Sequence, residues 1–255
     1  MLVLIVVAAA TAFAAFVAAY QKQLQQEQSF THDQNLESIH VLSLSVALNA
    51  NRTAFTNLSF TLASEYVNPS IILGISVNNY PLVSFSWRNL TSRAWYGVVL
   101  PEQFTLAPLQ EVVVATNLAT GFLNTSYIPL PNQYIKVDVY TVLQNDFSRV
   151  FLPPVALGVV SQTNPSAGGN MTLLDGSSSF QPEGNASLVQ WSWLVSGGAL
   201  NNTSQPSYQG EEYQISPALP SLTVNETAYS IILTVTNSDG LVGTEDLSFT
   251  PPGSK

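Results

Sequence analysis

The chain opens on an apolar block. From Met1 to Tyr20 it carries no charge and a single hydroxyl, Thr11, and a helix of about 20 residues spans about 30 Å, one hydrocarbon core. Within the block Ala10, Ala14 and Ala18 recur at i, i+4 and i+8, while Ala8, Ala12 and Ala15 or Ala19 line a neighbouring stripe. Small side chains at that spacing let helix backbones approach closely. No Gly or Pro interrupts QKQLQQEQ at 21–28, so the helix is expected to outlast a bilayer and continue as a stalk to residue 38. A cleavable secretory signal and a simple single-pass anchor are the plain alternatives. A signal has a basic start and a shorter apolar core, whereas here the first charge is Lys22.

Beyond the stalk the period changes from helical to two. Leu42, Leu44, Val46 and Leu48 alternate with Ser43, Ser45, Ala47 and Asn49, which predicts a strand with the leucines on one face. Seven more runs read the same way: Leu58 to Leu62, Ile71–Val77, Val83 to Trp87, Trp95–Leu100, Glu111–Leu118, Ile135 to Val139 and Phe147–Leu152. Asn-Pro, Tyr-Pro and Leu-Pro turns separate them, and strands this short at this density predict an antiparallel sandwich or barrel over 39–153. The Pro- and Gly-bearing stretch 153–169 reads as a junction that can include the first strand of a second domain, placed over 154–255.

Composition sharpens this picture. Of 255 residues 9% are charged and 46% hydrophobic, with no cysteine, so disorder, disulfides and thiolate metal sites are excluded. The net charge of −9 rests on seven scattered Lys and Arg, too few for a phosphate-binding surface, and nucleic acid is not expected as a partner. Residues 1–150 hold six bases against eight acids (−2), and 151–255 hold Lys255 against eight acids (−7). Nine Asn-x-Ser/Thr sequons begin at Asn51, Asn57, Asn89, Asn124, Asn170, Asn185, Asn201, Asn202 and Asn225, where 19 Asn and 49 Ser plus Thr give roughly four by chance. Crowding of Asn, Ser and Thr in turns is the bland account. Dense N-glycosylation of an extracellular surface is the functional one, and hydrated sugars would replace the missing charge.

The apolar helix, the Gln-rich stalk and the β-rich remainder together resemble a mature archaeal type IV pilin or archaellin over residues 1–38. The resemblance implies that a prepilin peptidase removes a short basic leader, that the helices pack with their copies as a filament core, and that the β-domains face outward. Bacterial members carry Glu at the fifth position. Here Ile5 stands there, as in the archaeal branch. In the second half, Leu173-Leu174-Asp175-Gly176-Ser177-Ser178-Ser179, Val189-Gln190-Trp191-Ser192-Trp193 and Tyr229 through Asp239-Gly240 resemble the polycystic-kidney-disease-type (PKD) immunoglobulin-like domain. That resemblance implies Trp193 as the sandwich-core aromatic, Tyr229 as a corner residue, and a structural or adhesive role. Where family members follow the Trp with an acidic loop, this chain has Leu194-Val195-Ser196-Gly197-Gly198, which puts any binding role of that loop in doubt. The fold expected is mainly β, with one long N-terminal hydrophobic α-helix and two antiparallel β-sandwich domains of Ig-like type.

No catalytic constellation is apparent. His32 and His40 are the only histidines and lie at the stalk-to-sheet transition, away from any nucleophile. The pairs Glu211-Glu212 and Glu245-Asp246 point to opposite strand faces and make poor chelates; Asp175 and Asp239 read as turn acids. Trp191 and Trp193, at i and i+2, read as core rather than as a sugar platform. The expectation is a non-enzymatic structural subunit of an extracellular filament, without cofactor. Its expected partners are copies of itself, the membrane before assembly, and cell surfaces or other filaments. The alternative is a membrane-anchored surface protein that does not polymerise. In a filament, residues 39–152 are expected near the axis and 155–250 outermost, on a Pro- and Gly-bearing junction.

Overall fold

In the computed structural model the described residues form one helix, α1 (Leu2–Leu36), followed by antiparallel sheets. The structure describes residues 2–252 apart from 50–53, 93, 123–128, 131, 164–170, 183–185, 201–205 and 225; of α1, side chains are described from Val17 onward, and that of Leu48 is also outside the set.

The first ten strands are β1 (Ile39–Leu48), β2 (Phe55–Ser64), β3 (Ser70–Val77), β4 (Tyr80–Pro81), β5 (Ser84–Asn89), β6 (Tyr96–Val99), β7 (Phe104–Leu106), β8 (Glu111–Asn117), β9 (Ile135–Thr141) and β10 (Asp146–Phe151). They make two sheets, ordered β1-β2-β8-β5-β6 and β10-β9-β3-β4, with β7 paired to β3. Alternate residues of both sheets meet in one apolar core: Leu58, Phe60 and Leu62 from β2, Val112 and Val114 from β8, and Ile135, Val137 and Val139 from β9 are all buried. Two sheets closed on a shared core form a sandwich.

The predicted face of β1 needs correction. Val41 and Leu44 point inward, three residues apart, and Leu42 is exposed. The register slips between Val41 and Ser43, so an extra residue is interposed as in a β-bulge. Bulging frees backbone carbonyls, and Arg149 of β10 donates from Nη1 to the carbonyls of Val41 (2.8 Å) and Leu42 (2.7 Å). A single guanidinium thereby fastens the edge strand of one sheet to the edge strand of the other.

The remaining strands are β11 (Val159–Thr163), β12 (Met171–Asp175), β13 (Leu188–Gly197), β14 (Ser207–Gln209), β15 (Glu212–Ile215), β16 (Tyr229–Asn237) and β17 (Val242–Phe249). They form sheets β11-β12-β15 and β14-β13-β16-β17 around a second core that includes Leu174, Trp193, Val195, Ile231 and Leu233. Trp193 and Tyr229 are fully buried, with the indole N–H donating to the Gly210 carbonyl (3.0 Å) and the phenol to that of Pro220 (3.1 Å). Trp191 packs against this core. The Gly197-Gly198 sequence has a steric reason: both residues have positive φ, and a Cβ on Gly198 would lie 2.4 Å from the Tyr229 ring.

The two sets of strands are joined by more than the polypeptide. Leu241, which follows the β16–β17 turn, is fully buried in the core of the first set, a burial worth roughly 2 kcal/mol. The buried Asn237 shapes that turn: Oδ1 accepts from the amides of Asp239 (3.1 Å) and Leu241 (2.9 Å), and Nδ2 donates to Gln181 Oε1 (3.1 Å) and the Leu152 carbonyl (3.4 Å). At the turn itself the Val46 amide donates to the Asp239 carbonyl (3.1 Å). Gly240, at φ +85°, sits so close to β1 that a Cβ would lie 2.7 Å from the Val46 carbonyl. The Pro- and Gly-bearing junction is thus accompanied by a bonded contact between the two sets of strands.

Asn237→Ala removes all four side-chain hydrogen bonds and leaves buried polar groups unpaired, at a cost of roughly 1–3 kcal/mol. Urea unfolding followed by tryptophan fluorescence should show a lower midpoint for this variant, with the two strand sets unfolding less cooperatively. An unchanged midpoint would show that the turn does not couple them.

Candidate functional surfaces

The helix supplies the first surface. Over its 35 residues α1 is about 52 Å long. From Ala18 to His32 it is exposed along its whole circumference, with local support from Gln23 Nε2 donating to Glu27 Oε1 (3.0 Å). Among the described residues no helix is long and apolar enough to cross a membrane. The part of α1 with described side chains, from Val17 to Leu36, contains the Gln-rich stalk. Of the expected packing residues, Ala18 and Ala19 are exposed; Ala8, Ala10, Ala12, Ala14 and Ala15 lie in the helical backbone, and their side chains are outside the described set.

The end of the helix is fixed by polar contacts. Glu37, 6% exposed, accepts at Oε2 from Thr141 Oγ1 (2.6 Å) and Asn145 Nδ2 (3.0 Å). Asn145 Nδ2 also donates to the Gln34 carbonyl (2.8 Å), satisfying one of the orphan acceptors at the helix C-terminus. The β9–β10 turn therefore holds the last turn of α1. Beside it the buried Tyr66 phenol is pushed above its ordinary pKa, chiefly by burial.

The second surface is the outer face of the β1-β2-β8-β5-β6 sheet. Register places Ser45, Ser59, Ala115, Ser86 and Gly97 in one continuous row, one residue from each of β1, β2, β8, β5 and β6. Four of these small residues, Ser45, Ser59, Ala115 and Ser86, floor a trough of about 490 Å³. Asn57 and Asn117 pair along one side. Arg88 and Trp95 close one end, the guanidinium carbon 4.9 Å from the ring centroid.

The nine sequons divide unevenly. Asn57 is exposed on β2 and lines the trough. Asn89 is half-buried at the end of β5, its Oδ1 accepting from the Thr91 amide (3.2 Å) and hydroxyl (3.3 Å). Asn51, Asn124, Asn170, Asn185, Asn201, Asn202 and Asn225 lie outside the described residues.

The acidic and imidazole groups take structural places. His40 pairs with Glu65 (3.3 Å) on the surface, and His32 is exposed on α1. Glu245 accepts from the Gly158 amide and Asp246 from Ser230 Oγ, while Glu211 and Glu212 are exposed. Asp175 accepts from the Ser177 amide (2.9 Å), and its carboxyl is held below the usual range by hydrogen bonds from Ser177. Asp138, buried on β9, pairs with Lys136 (2.6 Å) and accepts from Ser76 Oγ (3.2 Å). Among the described residues no three His, Cys, Asp or Glu are grouped to hold a metal ion. Sequence periodicity did not single out Glu37, Asn237 or the Arg88–Trp95 pair, since each acquires its role only through partners that the fold brings to it.

No family model matches the sequence, and no curated protein matches it. Among solved structures the chain is similar to red sea bream transglutaminase (8% identity, 84% of this chain and 31% of that one, TM-score 0.27). It is also similar to the chicken CNTN1 FN1–FN3 domains (13%, 83% and 67%, TM-score 0.28) and to the BSP domain of a biofilm associated protein (9%, 85% and 59%, TM-score 0.27). The chain thus spans about a third of the length of the transglutaminase. These likenesses are too loose to align any site, and the architecture above rests on the chain's own sheets.

Glu37→Ala leaves the Thr141 hydroxyl without its acceptor and Asn145 Nδ2 with the Gln34 carbonyl alone. Hydrogen exchange of the amides from 33 to 38 should then accelerate by about one to two orders of magnitude, for a local loss of roughly 1–3 kcal/mol. Unchanged protection would show that the Gln34 carbonyl contact alone holds the helix end.

Proposed function

We propose that this chain is a structural subunit of an extracellular, archaeal type IV pilus-like filament, held in the membrane before assembly and polymerising through α1. The observation that carries the proposal is the disposition of the helix. α1 leaves the β-sheets at Glu37 and stays exposed from His32 back to Ala18, while its sequence from Met1 to Tyr20 is uncharged. An apolar helix needs its surface removed from water. A bilayer supplies that burial before assembly, and packed copies of the same helix supply it afterwards, with the Ala stripes allowing close approach.

On this reading the β-part is the coat. The strands from 39 to 151 follow the helix directly and lie near the axis, and the Ig-like, PKD-type strands from 159 to 249 lie outside them. Sugars on the sequons would hydrate this coat, and its outward surfaces would meet cell surfaces or other filaments. The Asn237–Leu241 contact adds that the two β-parts enter the filament as one body. The role proposed is non-enzymatic and cofactor-free.

Ala14→Glu places a charge in the proposed helical core, at a cost of several kcal/mol. Electron microscopy of sheared cell-surface material should show filaments for the parent chain and none for the variant, with the subunit still folded and retained in the membrane. Normal filaments from Ala14→Glu cells would remove α1 from the core. A parent chain that stays in the membrane fraction and never appears in filaments would favour the single-pass surface anchor.

A further inference from the structure

We infer that the trough across the β1-β2-β8-β5-β6 sheet is a cradle for a carbohydrate chain attached to Asn57 itself; the inference rests on the reading of the sequons as glycosylation sites. Its floor comes from the sequence at four separate places. Ser45, Ser59, Ala115 and Ser86 meet in one row only because the register of three strand pairs aligns them. With strands 4.7–4.9 Å apart this floor is about 14 Å long, room for a few linked pyranose rings laid across the strands.

The lining has the chemistry of a sugar site. Ser45, Ser59 and Ser86 set hydroxyls along the floor, and Asn117 adds an amide. Trp95, 46% exposed, offers a ring face to the C–H side of a sugar, as aromatic side chains with one wet face do. No carboxylate among the described residues pairs with Arg88, and its Nε is buried without a hydrogen-bond partner. The buried Nε is out of a sugar's reach, and the terminal guanidinium N–H groups beside the Trp95 ring are the donors that sugar oxygens can meet. A peptide strand is a poorer occupant. The trough runs across the strands, whose backbone groups are already paired in the ladders, so strand addition has no free edge there. The Ser59 hydroxyl already donates to the Ser45 carbonyl (3.4 Å), and an apolar partner would desolvate the Ser45 and Ser86 hydroxyls without bonding them.

Asn57 selects the occupant. It begins a sequon with Ser59, and residues two apart on a strand share a face, so the acceptor amide stands on the same face as the floor. Along β2 it lies about 7 Å from Ser59, and the Trp95 end is three strands away, about 14 Å. A sugar chain fixed at Asn57 starts on the rim of the trough and needs no affinity of its own. The covalent link supplies the high effective concentration that makes weak stacking and hydrogen bonds sufficient.

The test uses the full chain purified from cells that glycosylate it. Glycopeptide mass spectrometry reads occupancy at Asn57, and hydroxyl-radical footprinting reads the reactivity of Trp95. We expect Asn57 to carry sugar, and Trp95 oxidation to rise several-fold in both Asn57→Gln and Ser59→Ala, which remove the same sequon through different residues. Oxidation of Trp193, buried in the other core, should stay unchanged and report that the fold is intact. A bare Asn57 overturns the inference, and sugar at the other sequons would then leave the wider glycosylation reading standing. Sugar at Asn57 with Trp95 reactivity unaltered by its removal overturns the cradle while leaving glycosylation in place. Exposure of Trp95 by Asn89→Gln rather than Asn57→Gln would assign the trough to a different sugar and likewise overturn it.

Discussion

The side-chain amide of Asn237 is the constraint on which the arrangement of the β-part depends. Its oxygen and nitrogen are each engaged twice, in the turn that carries Asp239 and Gly240 and in the junction at Leu152 and Gln181. Only with the turn so shaped does Leu241 enter the first core and the Val46 amide find the Asp239 carbonyl. Buried amides with every bond made fix geometry more sharply than apolar contact, because any displacement leaves a group unsatisfied. Gly240 completes the arrangement by occupying a positive φ against β1, where a side chain would collide with backbone.

Glu37 uses the same physics at the other end of the β-part. The helix is too long and too exposed to be oriented by apolar packing within the chain, and its direction is set where Glu37, Asn145 and Thr141 interlock. Arg149 does comparable work between the sheet edges, through two carbonyls released by the β1 bulge. At each of these three junctions a polar side chain reaches backbone or buried groups far along the chain. Apolar surface fills the cores, and polar groups decide how the filled parts are set against one another.

This division explains what could be read from the sequence. Alternation located Leu58, Phe60 and Leu62, and Ile231, Leu233 and Val235, because a half-buried strand must alternate. It misplaced Leu42, since a bulge changes facing by one residue without altering composition. It also passed over β4 and β7, whose two and three residues are too few to establish a period. The turn at Asp239-Gly240 was legible from local chemistry, whereas Asn237 looked like an ordinary strand end. The trough was hidden for a different reason. Serines and alanines on separate strands carry no signal until pairing sets them abreast, and the sequon at Asn57 indicated a modification without indicating the surface beneath it.

Fastening the two β-parts through Leu241 also has a mechanical consequence. A pull on the outer strands does not extend a slack tether. It loads the Asn237 turn and draws a leucine from its socket, so the first displacement is opposed by short-range forces that act over only a few ångströms. In the filament proposed, a force at the far strands would therefore be passed to the helix nearly undiminished, with the β-part behaving as a stiff lever and the Glu37 lock as its fulcrum.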